Sequence, residues 1–88
     1  PMAVREELLV KVLAAHLVPS KVIIQELKRR QQIHQKKLEA CLEKEQQMLE
    51  TSPELSADCK SIYLTLRRGI RYETEWVEWC EEAIAMLS

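Results

Sequence analysis

Two histidines, His16 and His34, and three cysteines, Cys41, Cys59 and Cys80, join the 14 acidic residues as the side chains from which a metal-binding centre in this 88-residue chain would be built. A zinc-type site needs such ligands to converge, as C-x-x-C pairs or as histidines at i and i+4 on one helix face. His16 and His34 fall on different segments and no C-x-x-C occurs, so no metal is expected. Acids are plentiful, but Glu6-Glu7 and Glu81-Glu82 are sequence neighbours, which point to different sides of a helix. General acid–base work needs a carboxyl held within reach of its substrate in a shaped site. The single glycine, Gly69, lies inside a helical pattern and leaves no glycine-rich loop to cradle phosphate. The expectation is a chain that is not an enzyme and carries no cofactor.

The cysteines are odd in number, and Cys59 and Cys80 fall on an apolar helical stripe, so they read as small packed thiols of a reducing compartment. Residues 1–17 mix acids and bases with apolar residues at helical spacing, unlike a signal peptide or a membrane span. A cytoplasmic location without membrane contact is expected. Lysines and arginines number 13 against the 14 acids, a net charge of -1. That balance gives no bulk attraction for nucleic acid.

The aromatic residues are Tyr63, Tyr72, Trp76 and Trp79, and the last three share one side of a helix at steps of four and three. Two readings stand together. The rings can anchor a core or a dimer, with Trp76 as the chief anchor, or Tyr72 and Trp79 can form one wall of a pocket for a planar effector.

The elements that must position these residues are helical. From Leu55 the steps of four and three run through Cys59, Ile62, Leu66, Gly69, Glu73, Trp76, Cys80, Ala83 and Leu87, with Tyr63, Ile70, Val77 and Ile84 widening the stripe. The spacing predicts a helix over residues 53–87, with Ser52 capping it, Pro53 in its first turn and Glu54 facing its positive end. Residues 20–51 contain no Gly or Pro and predict a second long helix, with Ser20 as its cap. Its seam passes through Leu27, Gln31, His34 and Leu38, so Gln31 and His34 should form a polar layer or face a partner. A first, short helix over residues 4–17 presents Leu8, Leu9, Val12 and Leu13 and ends at Val18-Pro19.

The short link at residues 51–53 makes the two long helices an antiparallel hairpin in which opposite residue numbers sum to roughly 105. That register brings Lys28-Arg29-Arg30 near Glu75 and Glu78, and Glu39 near Arg67. The basic run reads as a solvated helix edge rather than a DNA-binding patch. Each long helix would extend about 50 Å, whereas a compact monomer of this length has a radius of gyration of about 12 Å. The fold class expected is therefore all-α, a short helix followed by a long antiparallel helical hairpin, completed as a coiled-coil-like homodimer. Core and dimer packing is assigned to Leu8, Leu9, Val12, Leu13, Leu27, Leu38, Leu42, Ile62, Leu66, Gly69, Trp76 and Ile84.

Residues 63–72, YLTLRRGIRY, followed by Trp76 and by Trp79-Cys80-Glu81-Glu82-Ala83, resemble the end of PadR-type transcriptional regulators with the long, virulence-activator type of C-terminal domain. The opening VREELLVKV and Val18-Pro19-Ser20 are similar to the start of that domain, so the resemblance spans the chain. It implies a bacterial repressor or activator that is a homodimer, with DNA read by an N-terminal winged helix-turn-helix and the C-terminal helices holding the dimer. Some such regulators sense phenolic or drug-like molecules between the two domains. No winged helix-turn-helix is found in these 88 residues, so no direct nucleic-acid contact is assigned to any of them. The function expected is a C-terminal dimerisation and effector-sensing domain of such a regulator; the alternative is a stand-alone coiled-coil adaptor for another protein.

Overall fold

The computed structural model describes residues 2–88, and side chains from Glu7 onward; the side chains of Val4, Arg5 and Glu6, part of the expected first helix, lie outside that description. Helix α1 spans Met2–Leu13, α2 spans Ser20–Thr51 and α3 spans Ala57–Leu87. No strand occurs among the described residues. The fold is all-α, with α2 and α3 packed as a long hairpin.

The ends of the elements differ from the sequence expectation for local reasons. The first helix stops at Leu13, and Ala15–Leu17 forms a separate 3₁₀ turn. Val18 then turns extended, at φ -132° and ψ 160°, as a residue before proline prefers. Pro19, not Ser20, is the N-cap of α2; its φ of -58° suits the ring, and no side chain caps that end. At the hairpin tip Ser52 serves α2 instead of α3, its N–H donating to the Met48 carbonyl at 2.9 Å. Ser56 takes the capping role, its hydroxyl accepting from the Cys59 N–H at 3.3 Å, with Asp58 in the first turn. The sequence offers Ser-Pro-Glu and Ser-Ala-Asp within a few residues, and only the later one lies past the turn.

The core is thin and sits at the open end of the hairpin. Leu8 of α1, Ala15 of the 3₁₀ turn, Ile23 and Leu27 of α2 and Cys80 of α3 form its buried cluster, with Val12, Trp76, Trp79, Ala83, Ile84 and Leu87 packed around it. Further along the rod, among the described residues, the buried apolar side chains are Leu38 and Ile70. Four residues assigned to packing lie outside this intrachain core. Leu9 and Leu13 are exposed, Leu13 to 80%, because α1 turns the i, i+4 pair Leu8 and Val12 inward and carries its neighbours outward. Ile62, 60% exposed, is displaced because α3 seats Tyr63, Ile70, Val77 and Ile84 against α2. Leu42 is likewise exposed, while Leu66 and Gly69 are half-buried.

The cross-helix register is also shifted. Arg67 meets Glu45 at 2.9 Å rather than Glu39, and the Tyr63 hydroxyl donates to the same carboxylate at 3.0 Å. Glu39 instead accepts from Gln35 on its own helix. Of the basic run, Arg29 pairs with Glu26 within α2 at 2.8 Å and Arg30 lies over Trp76, so neither reaches Glu75 or Glu78. No described helix is long and apolar enough to cross a membrane.

Candidate functional site

Halfway along the hairpin the apolar seam is interrupted by a polar layer. Sequence spacing put Gln31 and His34 on the inner face of α2, and the structure gives both a partner on α3. Gln31 Nε2 donates to the Val77 carbonyl at 3.3 Å. His34 and Glu73, 5% and 7% exposed, are hydrogen-bonded through Nδ1–H and the Oε1 carboxylate oxygen. Glu73 lies at a stripe position that would otherwise take an apolar residue, which is the signal by which the pair could have been found: one ionisable residue at a seam position on each of two facing helices.

Aromatic side chains close over this pair. The His34 ring stacks on Trp76 with centroids 4.8 Å apart and planes 4° from parallel, and Tyr72 meets it edge-on at 6.3 Å. The Arg30 guanidinium lies 5.4 Å from the Trp76 ring centre, within cation–π range. Two atoms in this region, His34 Nε2 and Arg30 Nε, are buried without a hydrogen-bond partner. A histidine–carboxylate pair is the orienting half of a nucleophilic triad. Here the nitrogen that would take a nucleophile's proton, His34 Nε2, is buried without a hydrogen-bond partner among the described residues, and the pair links α2 to α3.

On the other side of Trp76 is a shallow cleft. Trp79 stands perpendicular to Trp76, at 5.7 Å and 89°, and these two rings with Leu9 and Glu75 line a space of about 230 Å³. Its walls are apolar apart from the Glu75 carboxylate. Of the two residues expected to form a pocket wall, Trp79 is in the cleft and Tyr72 belongs to the polar layer. Trp76, assigned to assembly, serves both. Leu9 and Glu75 could not be foreseen as lining residues without knowing how α1 lies on α3.

Electrostatics mark the surroundings rather than the cleft. Burial pushes the Cys80 thiol above its ordinary range, with the positive charge of Arg30 opposing the shift. The hydrogen bond from Arg29 holds the Glu26 carboxyl below the usual range. The bond to Glu45 raises the Tyr63 hydroxyl. All three cysteines are free thiols. Among the described residues no three His, Cys, Asp or Glu side chains gather closely enough to hold a metal ion.

No curated protein and no solved structure shows a significant match to the chain. A family model does: the one described as virulence activator alpha C-term matches residues 4–88. Carrying that match over almost its whole length on an all-α hairpin, the chain belongs to the virulence activator alpha C-terminal family.

Proposed function

We propose that this domain is the C-terminal dimerisation domain of a PadR-like bacterial transcriptional regulator, working in the cytoplasm as a non-enzymatic homodimer. The observation that carries the reading is surplus surface. The chain exposes 6601 Å², whereas a compact monomer of 10.3 kDa exposes roughly 5,400 Å². Its radius of gyration is 16.7 Å and its extents 53 × 22 × 15 Å, against about 12 Å for a compact chain of this length. Leu9, Val10, Leu13, Leu17 and Val22 at one end and Leu42, Leu49 and Ile62 toward the other are large apolar side chains left in solvent. Exposure of this many large apolar side chains on so small a domain supports association. DNA contact belongs, in this reading, to a winged helix-turn-helix outside these residues.

The domain's regulatory part is assigned to the cleft of Leu9, Glu75, Trp76 and Trp79, where a small planar effector would stack on the indoles. Light scattering on the purified chain tests the central claim: a mass of twice 10.3 kDa is expected. A monomer mass at every concentration would overturn it and favour an adaptor whose partner is a different protein.

A further inference from the structure

One stripe of α3 makes no ion pair among the described residues. Leu64, Arg68, Arg71, Glu75, Glu78 and Glu82 recur at steps of four and three, and every one is exposed. They lie on the side of the helix away from the buried Ile70, Glu73 and Cys80. The charges on the stripe are sorted, with both arginines before residue 73 and all three glutamates after it. Among the described residues no ion pair engages any of these five.

The spacing has a symmetry of its own. Read in either direction from a point between Arg71 and Glu75, the stripe repeats the same steps, so a second α3 laid antiparallel upon it falls into register. Arg71 then faces Glu75 of the second copy and Arg68 faces Glu78 of the second copy, and a two-fold axis repeats both contacts. A parallel arrangement sets arginine on arginine and glutamate on glutamate, which is repulsive.

Apolar complementarity follows the same register. Leu64, 67% exposed, falls opposite Glu82 of the second copy. Beside Glu82 is a mainly apolar cleft of about 220 Å³ between α1 and α3, lined by Val12, Trp79, Ala83, Met86 and Leu87. An exposed leucine thus meets an open apolar cleft at both ends of the pairing. We propose that α3 packs antiparallel on α3 of a second copy of this chain along this stripe, about a two-fold axis between Arg71 and Glu75. The inference rests on the dimerisation reading above and gives the dimer an α3 contact and an orientation; the exposed apolar residues of α1 and α2 named there lie outside this stripe. The charges set direction and register, and Leu64 with its receiving cleft supplies apolar contact at each end.

Two charge-reversed chains test it, Arg68→Glu/Arg71→Glu and Glu75→Arg/Glu78→Arg, with self-association followed by sedimentation equilibrium and helix content by circular dichroism. All four side chains are exposed, so both variants should keep the helix signal. Each alone sets like charges opposite each other and should self-associate roughly a hundredfold more weakly than the unmodified chain or worse. Mixed in equal amounts, the two should form a heterodimer, because the reversed faces complement one another. If a double variant loses helix signal, the single changes Arg71→Glu and Glu75→Arg carry the same comparison. Variants that dimerise as tightly as the unmodified chain would overturn this surface while leaving dimerisation standing. Weakened variants that do not recover on mixing would overturn the antiparallel register. An unmodified chain that is monomeric throughout would overturn dimerisation itself.

Discussion

The imidazole of His34 lies flat on the indole of Trp76, with ring centres 4.8 Å apart and planes within 4° of parallel. His34 is held from its edge by Glu73 and Trp76 is met at right angles by Trp79, so one stack joins the polar layer of the hairpin to the cleft beside α1. Trp76 also carries the Arg30 guanidinium at cation–π distance.

Trp76→Ala should accordingly be the more costly of the two tryptophan truncations. It removes the His34 stack, the Arg30 contact and one cleft wall together, and aromatic-to-alanine changes in a core cost about 3–5 kcal/mol. A domain of this size has a total stability of roughly 5–10 kcal/mol. Trp79→Ala removes the perpendicular ring and the packing beside Ala83 but leaves the stack in place. Denaturant titrations at one fixed protein concentration check the order, and equal or reversed losses would show that the stack does not hold the hairpin.

The pair His34 and Glu73 is expected to be strongly non-additive. Removing one partner strands the other's polar atom in a buried seam, which costs about 1–3 kcal/mol. Replacing both by leucine makes the seam continuous, and exchanges of buried polar pairs for apolar residues are often neutral or stabilising. The cycle of His34→Leu, Glu73→Leu and the double variant should thus show two destabilised singles and a double close to the unmodified chain. Roughly additive losses would mean that the two side chains do not act as a unit.

That pair also marks where the sequence was legible and where it was not. Helical periodicity placed Leu27, His34 and Leu38 on the inner side of α2 because residues three and four apart share a face whatever the partner is. The relative rotation and sliding of α2 and α3 are set by contacts between elements that periodicity cannot see. Glu45 therefore reaches Arg67 and Tyr63 in place of the expected Glu39 contact, and Ile62 turns outward although it shares a stripe with Leu66. The cap at Ser56 was missed because Ser52-Pro53-Glu54 carries the same local chemistry one turn earlier. Trp79 lines the cleft beside α1, and which residues complete that lining, Leu9 and Glu75, depends on how α1 docks.

Cys80 should be the last of the three thiols to react. It is 0% exposed and burial holds its proton more tightly than usual, whereas Cys41 and Cys59 are half-buried. Timed alkylation under native conditions, read by peptide mass spectrometry, should modify Cys41 and Cys59 first. The raised Cys80 value also fixes the sign of a pH effect: the unfolded chain loses this proton first as pH rises. Its contribution is fully present below the ordinary thiol range of about 8.5 and declines as the pH climbs through the raised folded-state value. Tyr63, raised by its bond to Glu45, adds a loss of the same sign at pH above about 10. Unfolding midpoints that rise between neutral and alkaline pH would contradict both shifts.

Gly69→Ala tests whether the glycine serves anything inside a single chain. Glycine in a helix interior costs about 1 kcal/mol relative to alanine, so its presence suggests a bend, a tight approach or an unusual backbone angle. Neither a tight approach nor an unusual angle is found: Gly69 has no positive φ, and an added Cβ would meet Cys41 Sγ at 3.9 Å, an ordinary contact. The substitution should therefore stabilise the hairpin by about 1 kcal/mol and raise the melting temperature by roughly 4–8 °C for a domain of this length. Melting and association should be measured on the same samples. A rise in stability with unchanged association means that the position is neutral to assembly. A folded chain of normal helix content that associates more weakly means that a second chain comes close to the bare backbone at Gly69, and that contact, absent from the single chain, is the reason a glycine stands there. A chain that loses helix content would refute the open-space reading of the Cys41 contact.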